Sequence, residues 1–160
     1  TFVSGLVKSS GPIAAIYVVD STPALSSALL VLAWVFVWEI GGQNIPADWN
    51  DTVEDKRVRA RTIPLQLGTQ TAGILVLLTL GLTVGISLFL PGISPLPLGI
   101  SYLILSALAG LVLLLKPGYE LFKHQNEGRR AAKLFDNASL YPIAQLVLIT
   151  AFVLLGKFTG

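Results

Sequence analysis

The chain has 160 residues, of which 53% are hydrophobic and 12% are charged. A soluble domain usually carries about 25% charged residues, so this composition indicates a protein that has lipid as its solvent. The chain has no cysteine and one histidine, His124, which excludes disulfides and thiolate metal sites and argues against a histidine metal site or a Ser–His–Asp triad. The net charge of +2 comes from basic residues in two hydrophilic segments, and this pattern does not predict a nucleic-acid partner.

Long apolar segments predict the membrane spans, since ~20 apolar residues cross a bilayer. Residues 65–115 are free of charge but too long for one crossing, so the turn at residues 91–97 is expected to divide them. The opening stretch is the weakest candidate because it contains Lys8 and Pro12. The sequence therefore predicts an all-α fold, a single polytopic transmembrane bundle over residues 1–160 with about five membrane helices, built on residues 2–19, 21–38, 65–115 and 137–156.

The basic residues indicate the orientation of the bundle. Nine of the eleven Lys and Arg residues fall on the side where the second span ends, and the turn at residues 91–97 on the other side has none. By the positive-inside rule, the basic side is cytoplasmic, which predicts an integral protein of the cell (inner) membrane with its charged loops inside. Because the chain starts at Thr1 without a signal-peptide pattern, we expect natural sequence upstream of it.

Four oxygen-bearing side chains follow the second span at spacings of 4, 3 and 4: Asn44, Asp48, Asp51 and Asp55. On one continuous helix they share a face. Stacked carboxylates repel one another and are costly near lipid, so a hard divalent cation such as Mg²⁺ is expected to compensate them. Pro46 lacks an N–H, and the helix is expected either to kink there or to restart with Pro46 in its first turn.

Basic residues follow the acidic segment and offer partners for phosphate: Lys56, Arg57, Arg59 and Arg61. Carboxylates, a metal ion and these cations together favour a diphosphate site, and an isoprenoid tail would explain its place in a membrane. The alternative is an ordinary charged cytoplasmic loop whose aspartates are solvated or paired with arginines.

At these residues the chain resembles the UbiA superfamily of intramembrane prenyltransferases. The family's second aspartate motif, D-x-x-x-D, matches Asp51 to Asp55, and Asn44 and Asp48 match polar positions upstream of it. The family's K/R-T-x-P…G tail matches Arg61-Thr62-Ile63-Pro64 and Gly68, and residues 133–141 are similar to the lead-in to its last helix. The resemblance covers essentially the whole chain and corresponds to helices five to nine of a nine-helix fold.

The resemblance implies Mg²⁺-dependent transfer of a prenyl group from a prenyl diphosphate to a lipophilic acceptor, for which an aromatic ring is expected, as in quinone biosynthesis. It implies that Asp51 and Asp55 are catalytic residues and that Asp48, Asp51 and Asp55 bind the metal ion. It also assigns Asn44, Asp48, Lys56 and Arg61 to diphosphate binding. Arg59 stands where the family often has Gly. No first aspartate motif is present in this chain, so we expect a missing N-terminal half of the same protein to supply it.

Two questions stay open at the level of sequence. Glu39 lies within a predicted span, where a carboxylate is either functional or bonded to a neighbouring helix. The chain could also be a non-catalytic UbiA-like subunit that binds a pigment, a quinone or an isoprenoid lipid, or half of a transporter with an intramembrane cation site. A transporter should show polar residues near the middle of several spans, and these spans are almost uniformly apolar.

Overall fold

The fold is known from a computed structural model that describes residues 2–93, 98–125 and 127–158. Within these ranges the chain is helical and contains no strand. The turn predicted at residues 91–97 is described only up to Ile93, in a short 3₁₀ helix at Leu90–Ile93; residues 94–97 lie outside the described residues. The helices are α1 (Phe2–Val19), α2 (Leu25–Asn50), α3 (Thr52–Arg57), α4 (Ile63–Ser87), α5 (Ile100–Lys123) and α6 (Gly128–Phe158).

Four of these helices are long and apolar enough to cross a membrane: α2, α4, α5 and α6. Helix α1 is apolar but shorter, and it contains Pro12, in agreement with its weaker prediction. Helix α1 packs against α2, and α2 packs against α4 and α6. The predicted all-α, polytopic membrane bundle is therefore confirmed.

Helix α2 is not uniformly α-helical. A π-helical segment runs from Glu39 to Asn44, and α-helical geometry resumes at Ile45–Asn50. Pro46 has no N–H to donate to the carbonyl of Gly42, and that carbonyl instead accepts a hydrogen bond from the Gln43 side-chain amide at 3.2 Å. The predicted restart of the helix with Pro46 in its first turn is thus confirmed.

The acidic segment is divided between two helices. Asp51 has φ −94° and ψ 13°, so α2 ends before it and α3 begins after it. The prediction of a single continuous helix through residues 44–55 is wrong at this point, because Asp51 leaves helical geometry. The aspartates upstream and downstream of Asp51 consequently belong to different helices.

Close helix packing depends on glycines in α2 and α5. A Cβ at Gly42 would lie 2.9 Å from the Ala138 methyl of α6, and one at Gly110 would lie 2.5 Å from a Val84 methyl of α4. Such small residues allow helix backbones to approach in lipid, where packing drives association. Gly41 has the same role against Thr79. Gly41 and Gly42 thus fix how α2 is seated between α4 and α6, and Gly110 fixes α5 against α4.

Two residues with positive φ follow α3, one in the connection to α4 and one at a kink inside α4. Arg59 has φ +55°, and Gly68, inside α4, has φ 80° and ψ 161°. The second conformation is essentially restricted to glycine, which explains why a glycine follows the Arg-Thr-x-Pro sequence. Pro64 stands in the first turn of α4, where its missing N–H is tolerated.

The end of α5 and the start of α6 form the second charged segment of the chain. Helix α5 ends at Lys123 and α6 begins at Gly128. Deeper in the bundle, Gln145 of α6 donates a hydrogen bond to Ser106 of α5 at 2.9 Å, and the Tyr102 hydroxyl donates to Gln145 at 3.3 Å. Polar contacts of this kind join helices within a membrane.

Candidate active site at the acidic end of α2

The predicted polar residues lie at one end of the bundle in different settings. Asn44 is half-buried and accepts a hydrogen bond from the Ser4 hydroxyl of α1 at 3.3 Å. Asp48 is half-buried in α2, Asp51 is exposed between the helices, and Asp55 is half-buried in α3. The structure therefore places all four side chains near the end of the bundle, from the last turns of α2 into α3.

The basic residues assigned to diphosphate, Lys56 and Arg61, are exposed. Lys56 lies in the last turn of α3, and Arg61 lies just before α4. Within the described ranges, the ion pairs do not involve Asp51 or Asp55. The two aspartates of the D-x-x-x-D motif are thus not neutralised by these arginines and lysines.

A cavity of about 170 Å³ lies beside the acidic segment, between α2 and α6. Asp51 borders it from the end of α2, and Asp136 borders it from the first turns of α6. In the sequence, Asp136 lies within the segment similar to the family's lead-in to its last helix, and only the packing of α6 against α2 makes it a site residue. The lining residues are Pro46, Ala47, Asn50, Asp51, Ala132, Phe135 and Asp136.

The donors fit a magnesium ion that is held partly by a substrate. Among the residues that the structure describes, no group of three or more His, Cys, Asp or Glu side chains is placed to hold a metal by itself. Mg²⁺, however, is commonly bound by one or two carboxylates, with waters and substrate phosphates as its other ligands. Asp51 and Asp136 offer two carboxylates at one cavity, whereas the set of Asp48, Asp51 and Asp55 stays a prediction.

Hydrogen bonds fix α2 against α6 next to this cavity. The Trp38 indole N–H donates to the carbonyl of Ala138 at 3.0 Å, and the Gln43 amide donates to the carbonyl of Phe135 at 3.2 Å. Gln43 also donates to the Ser139 hydroxyl at 3.2 Å. These bonds leave Phe135 and Asp136 beside the acidic end of α2, so they set the width of the cavity.

A second cavity of about 390 Å³ lies deeper in the bundle, between α1, α2 and α6. Its polar lining is an ion pair, in which the Lys8 ammonium lies 2.6 Å from the Glu39 carboxylate. Of the two readings of Glu39, the structure supports bonding to a neighbouring helix, and it adds a cavity beside the carboxylate. The other lining residues are Pro12, Trp34, Val35, Trp38 and Pro142.

Long apolar helices with carboxylates and cations at one end define an integral membrane protein with a candidate site for an anionic head group. The model of the UbiA prenyltransferase family matches residues 1–155, and the chain belongs to this family. Membership indicates intramembrane prenyltransferase activity in general terms, and members of the family generally use Mg²⁺. No curated protein and no solved structure matches the chain significantly.

Proposed function

We propose that this protein transfers a prenyl group from a prenyl diphosphate to a lipophilic acceptor within the membrane, in a Mg²⁺-dependent reaction. The observation that supports this most is the cavity between Asp51 and Asp136 at the acidic end of an apolar bundle, in a chain of the UbiA family. We place this end at the cytoplasmic face of the inner membrane, because most basic residues lie there.

In this proposal the carboxylates hold the metal and the basic residues hold the diphosphate. Asp51 and Asp136, which border one cavity, would hold Mg²⁺ together with the diphosphate, and Asp55 and Asp48 are the further metal ligands that the family resemblance implies. Asn44 contributes to diphosphate binding from α2, and Lys56 and Arg61 reach the diphosphate oxygens as charged donors. When bound, Mg²⁺ would neutralise the negative charge on the departing diphosphate.

The bond changes follow from the two substrates. The bond between the allylic carbon and the bridging oxygen breaks, and the electron pair leaves with diphosphate. The allylic carbon then bonds to the acceptor, which loses a proton. The protein contributes by orienting the two reactants and by excluding water, which would otherwise capture the allylic carbon. The apolar walls contributed by Pro46, Ala47 and Phe135 suit this second task.

The proposed site is not complete within this chain. We expect a first aspartate motif on a further set of helices of the same protein to face the acidic end of α2. The second candidate function is a non-catalytic subunit that binds a pigment, a quinone or an isoprenoid lipid. It is favoured by the second cavity of about 390 Å³, which is lined mainly by apolar and aromatic side chains such as Trp34 and Trp38.

Prenyl transfer by the full-length protein tests the proposal. The protein is reconstituted in nanodiscs with Mg²⁺, farnesyl or geranylgeranyl diphosphate, and a lipid extract of its native membrane as the source of acceptor. Release of diphosphate and prenylated products in mass spectra are measured for the wild type and for the double variant Asp51→Ala, Asp55→Ala. We expect the double variant to lose both signals, since it removes two proposed metal ligands.

Glu54→Ala is the matched control. Glu54 is exposed on α3 between the two aspartates, and its replacement removes one negative charge from the same turn. It should retain most of the activity. Undiminished Mg²⁺-dependent transfer by the double variant would overturn the site assignment. Absence of transfer by the wild type, with a pigment or quinone bound to the purified protein, would favour the non-catalytic function.

A further inference from the structure

The deeper cavity contains a buried carboxylate that the proposed metal and diphosphate site does not use. Glu39 is 0% exposed, and the cavity beside it is otherwise lined by apolar and aromatic side chains apart from Lys8. A carboxylate within a membrane span is costly and is retained where it serves a pathway or a ligand. Its position beside a cavity of about 390 Å³ points to a ligand.

The Lys8 ammonium does not use the whole bonding capacity of Glu39. It lies 2.6 Å from Oε1, while Oε2 has no hydrogen-bond donor within the described part of the chain. An ionised carboxylate accepts hydrogen bonds at both oxygens and donates none, and a buried polar atom left without a partner is destabilising. The missing partner is therefore a hydrogen-bond donor.

The shape of the cavity indicates what carries this donor. Trp34 and Trp38 line it from one face of α2, and Pro142 lines it from α6. Flat apolar surfaces of this kind favour an aromatic ring, which stacks or packs edge-on against indole. The ligand is accordingly an aromatic compound that bears an O–H or N–H group.

The depth of Glu39 relates this cavity to the proposed diphosphate site. Glu39 precedes Asp51, the residue that follows α2, by twelve residues; at 1.5 Å per residue, and less in the π-helical segment, the separation along the helix axis is at most roughly 18 Å. This distance leaves room for a diphosphate head group at the acidic end and one aromatic ring between it and Glu39.

We propose that Glu39, paired with Lys8, binds the hydroxyl or N–H group of the prenyl acceptor and selects aromatic acceptors that carry such a donor. This inference rests on the proposed prenyl transfer. In this role Glu39 is a specificity-determining residue. Lys8, whose side chain is 54% exposed, pairs with Oε1 of Glu39 and leaves Oε2 for the ligand.

A binding experiment without prenyl diphosphate tests the inference. Tritiated 1-naphthol, which has an O–H donor, and tritiated 1-methoxynaphthalene, which lacks it, are bound to the full-length protein in nanodiscs, with empty nanodiscs subtracted. We expect the wild type to bind 1-naphthol at least tenfold more tightly. Glu39→Leu should lose this preference, and Glu39→Gln, which keeps one acceptor oxygen, should retain part of it.

Two further variants control for misfolding and for nonspecific effects of substitution. The double variant Lys8→Leu, Glu39→Leu leaves an apolar cavity without an unpaired charge, so it should fold and bind both probes with equal affinity. Glu127→Gln changes an exposed glutamate in the loop before α6 and should behave as the wild type. Equal binding of the two probes by the wild type, or an unchanged preference in Glu39→Leu, would overturn the inference.

The binding test and the transfer test can fail separately. If the Asp51 and Asp55 variant loses prenyl transfer but Glu39→Leu keeps the naphthol preference, the acceptor inference fails and the proposed function stands. If the preference depends on Glu39 but the wild type shows no transfer, the proposed function fails and the cavity is a binding site of a non-catalytic protein.

Discussion

Gly41 of α2 lies so close to Thr79 of α4 that a Cβ atom at residue 41 would overlap the Thr79 hydroxyl. That hydroxyl is already held by hydrogen bonds to the carbonyls of Leu75 at 2.7 Å and Val76 at 3.0 Å. It therefore cannot rotate away without losing them. The contact fixes the separation of α2 and α4 just before the acidic end of α2.

We predict that Gly41→Ala destabilises the protein by about 1–3 kcal/mol, the usual effect of overpacking. The measurement is the free energy of unfolding in mixed micelles. Thr79→Ala in the same molecule should recover part of the loss, because it removes the overlapping hydroxyl. Gly85→Ala is the control, since a Cβ at Gly85 meets no atom within 4 Å; equal losses at residues 41 and 85 would contradict the packing argument.

The backbone at Gly68 leads to a second prediction. Any side chain is strained at φ 80° and ψ 161°, so Gly68→Ala should lose roughly 1–3 kcal/mol although no atom lies within 4 Å of its Cβ position. Gly81→Ala, in the helical part of α4 with equally open surroundings, should be neutral or stabilising. The difference in thermal midpoint between the two variants measures the strain, and identical midpoints would refute it.

Arg59 gives a third prediction, because its left-handed backbone, φ +55°, costs a non-glycine residue about 1–2 kcal/mol. Arg59→Gly removes this strain but adds freedom to the unfolded chain, so its stability should equal or exceed that of the wild type. Arg59→Val should be less stable, since β-branched residues tolerate this region poorly. Arg57→Val, in the last turn of α3, is the matched control and should change the thermal midpoint little; a stable Arg59→Val variant would show that the loop can relax.

The fourth prediction concerns Asp136, which shares its cavity with Asp51. If Asp136 contributes to metal binding, Asp136→Ala should raise the Mg²⁺ concentration for half-maximal prenyl transfer by about tenfold or more. Loss of a residue that supports a metal site commonly lowers the metal affinity by roughly that factor. Titration of activity with Mg²⁺ measures it. Glu127→Ala removes a nearby exposed carboxylate as a control, and an unchanged Mg²⁺ dependence in Asp136→Ala would exclude Asp136 from the site.

Much of the architecture could be predicted because lipid imposes simple rules on a sequence. Apolar length indicated the spans, and Pro46 indicated the change of helix geometry within α2, where it stands in the first turn of the segment Ile45–Asn50. The family pattern led to Asp51, Asp55 and the Arg-Thr-x-Pro tail. These features depend on residues close together in the chain, whose effects on local backbone geometry are well understood.

The features that sequence alone did not provide depend on contacts between distant helices. Lys8 and Glu39 are thirty-one residues apart, and nothing local indicates that they pair at 2.6 Å. Asp136 becomes a site residue only because Gly42 and Ala138 bring α6 against α2. The helix break at Asp51 was also missed, because residues 44–55 carry a helical spacing on both sides of it.

The π-helical turns at Glu39–Asn44 affect how the two ends of α2 are rotated relative to each other about the helix axis. An α-helix advances about 100° per residue, and a widened turn accommodates an extra residue, so the rotation between the Lys8–Glu39 pair and the aspartates depends on that residue. Because the widened turn absorbs the extra residue, the downstream carboxylates keep their orientation toward α6, whereas one residue inserted into a regular α-helix would turn them by about 100°. The two cavities are therefore aligned by the hydrogen-bonding pattern of the backbone as well as by the side chains that line them.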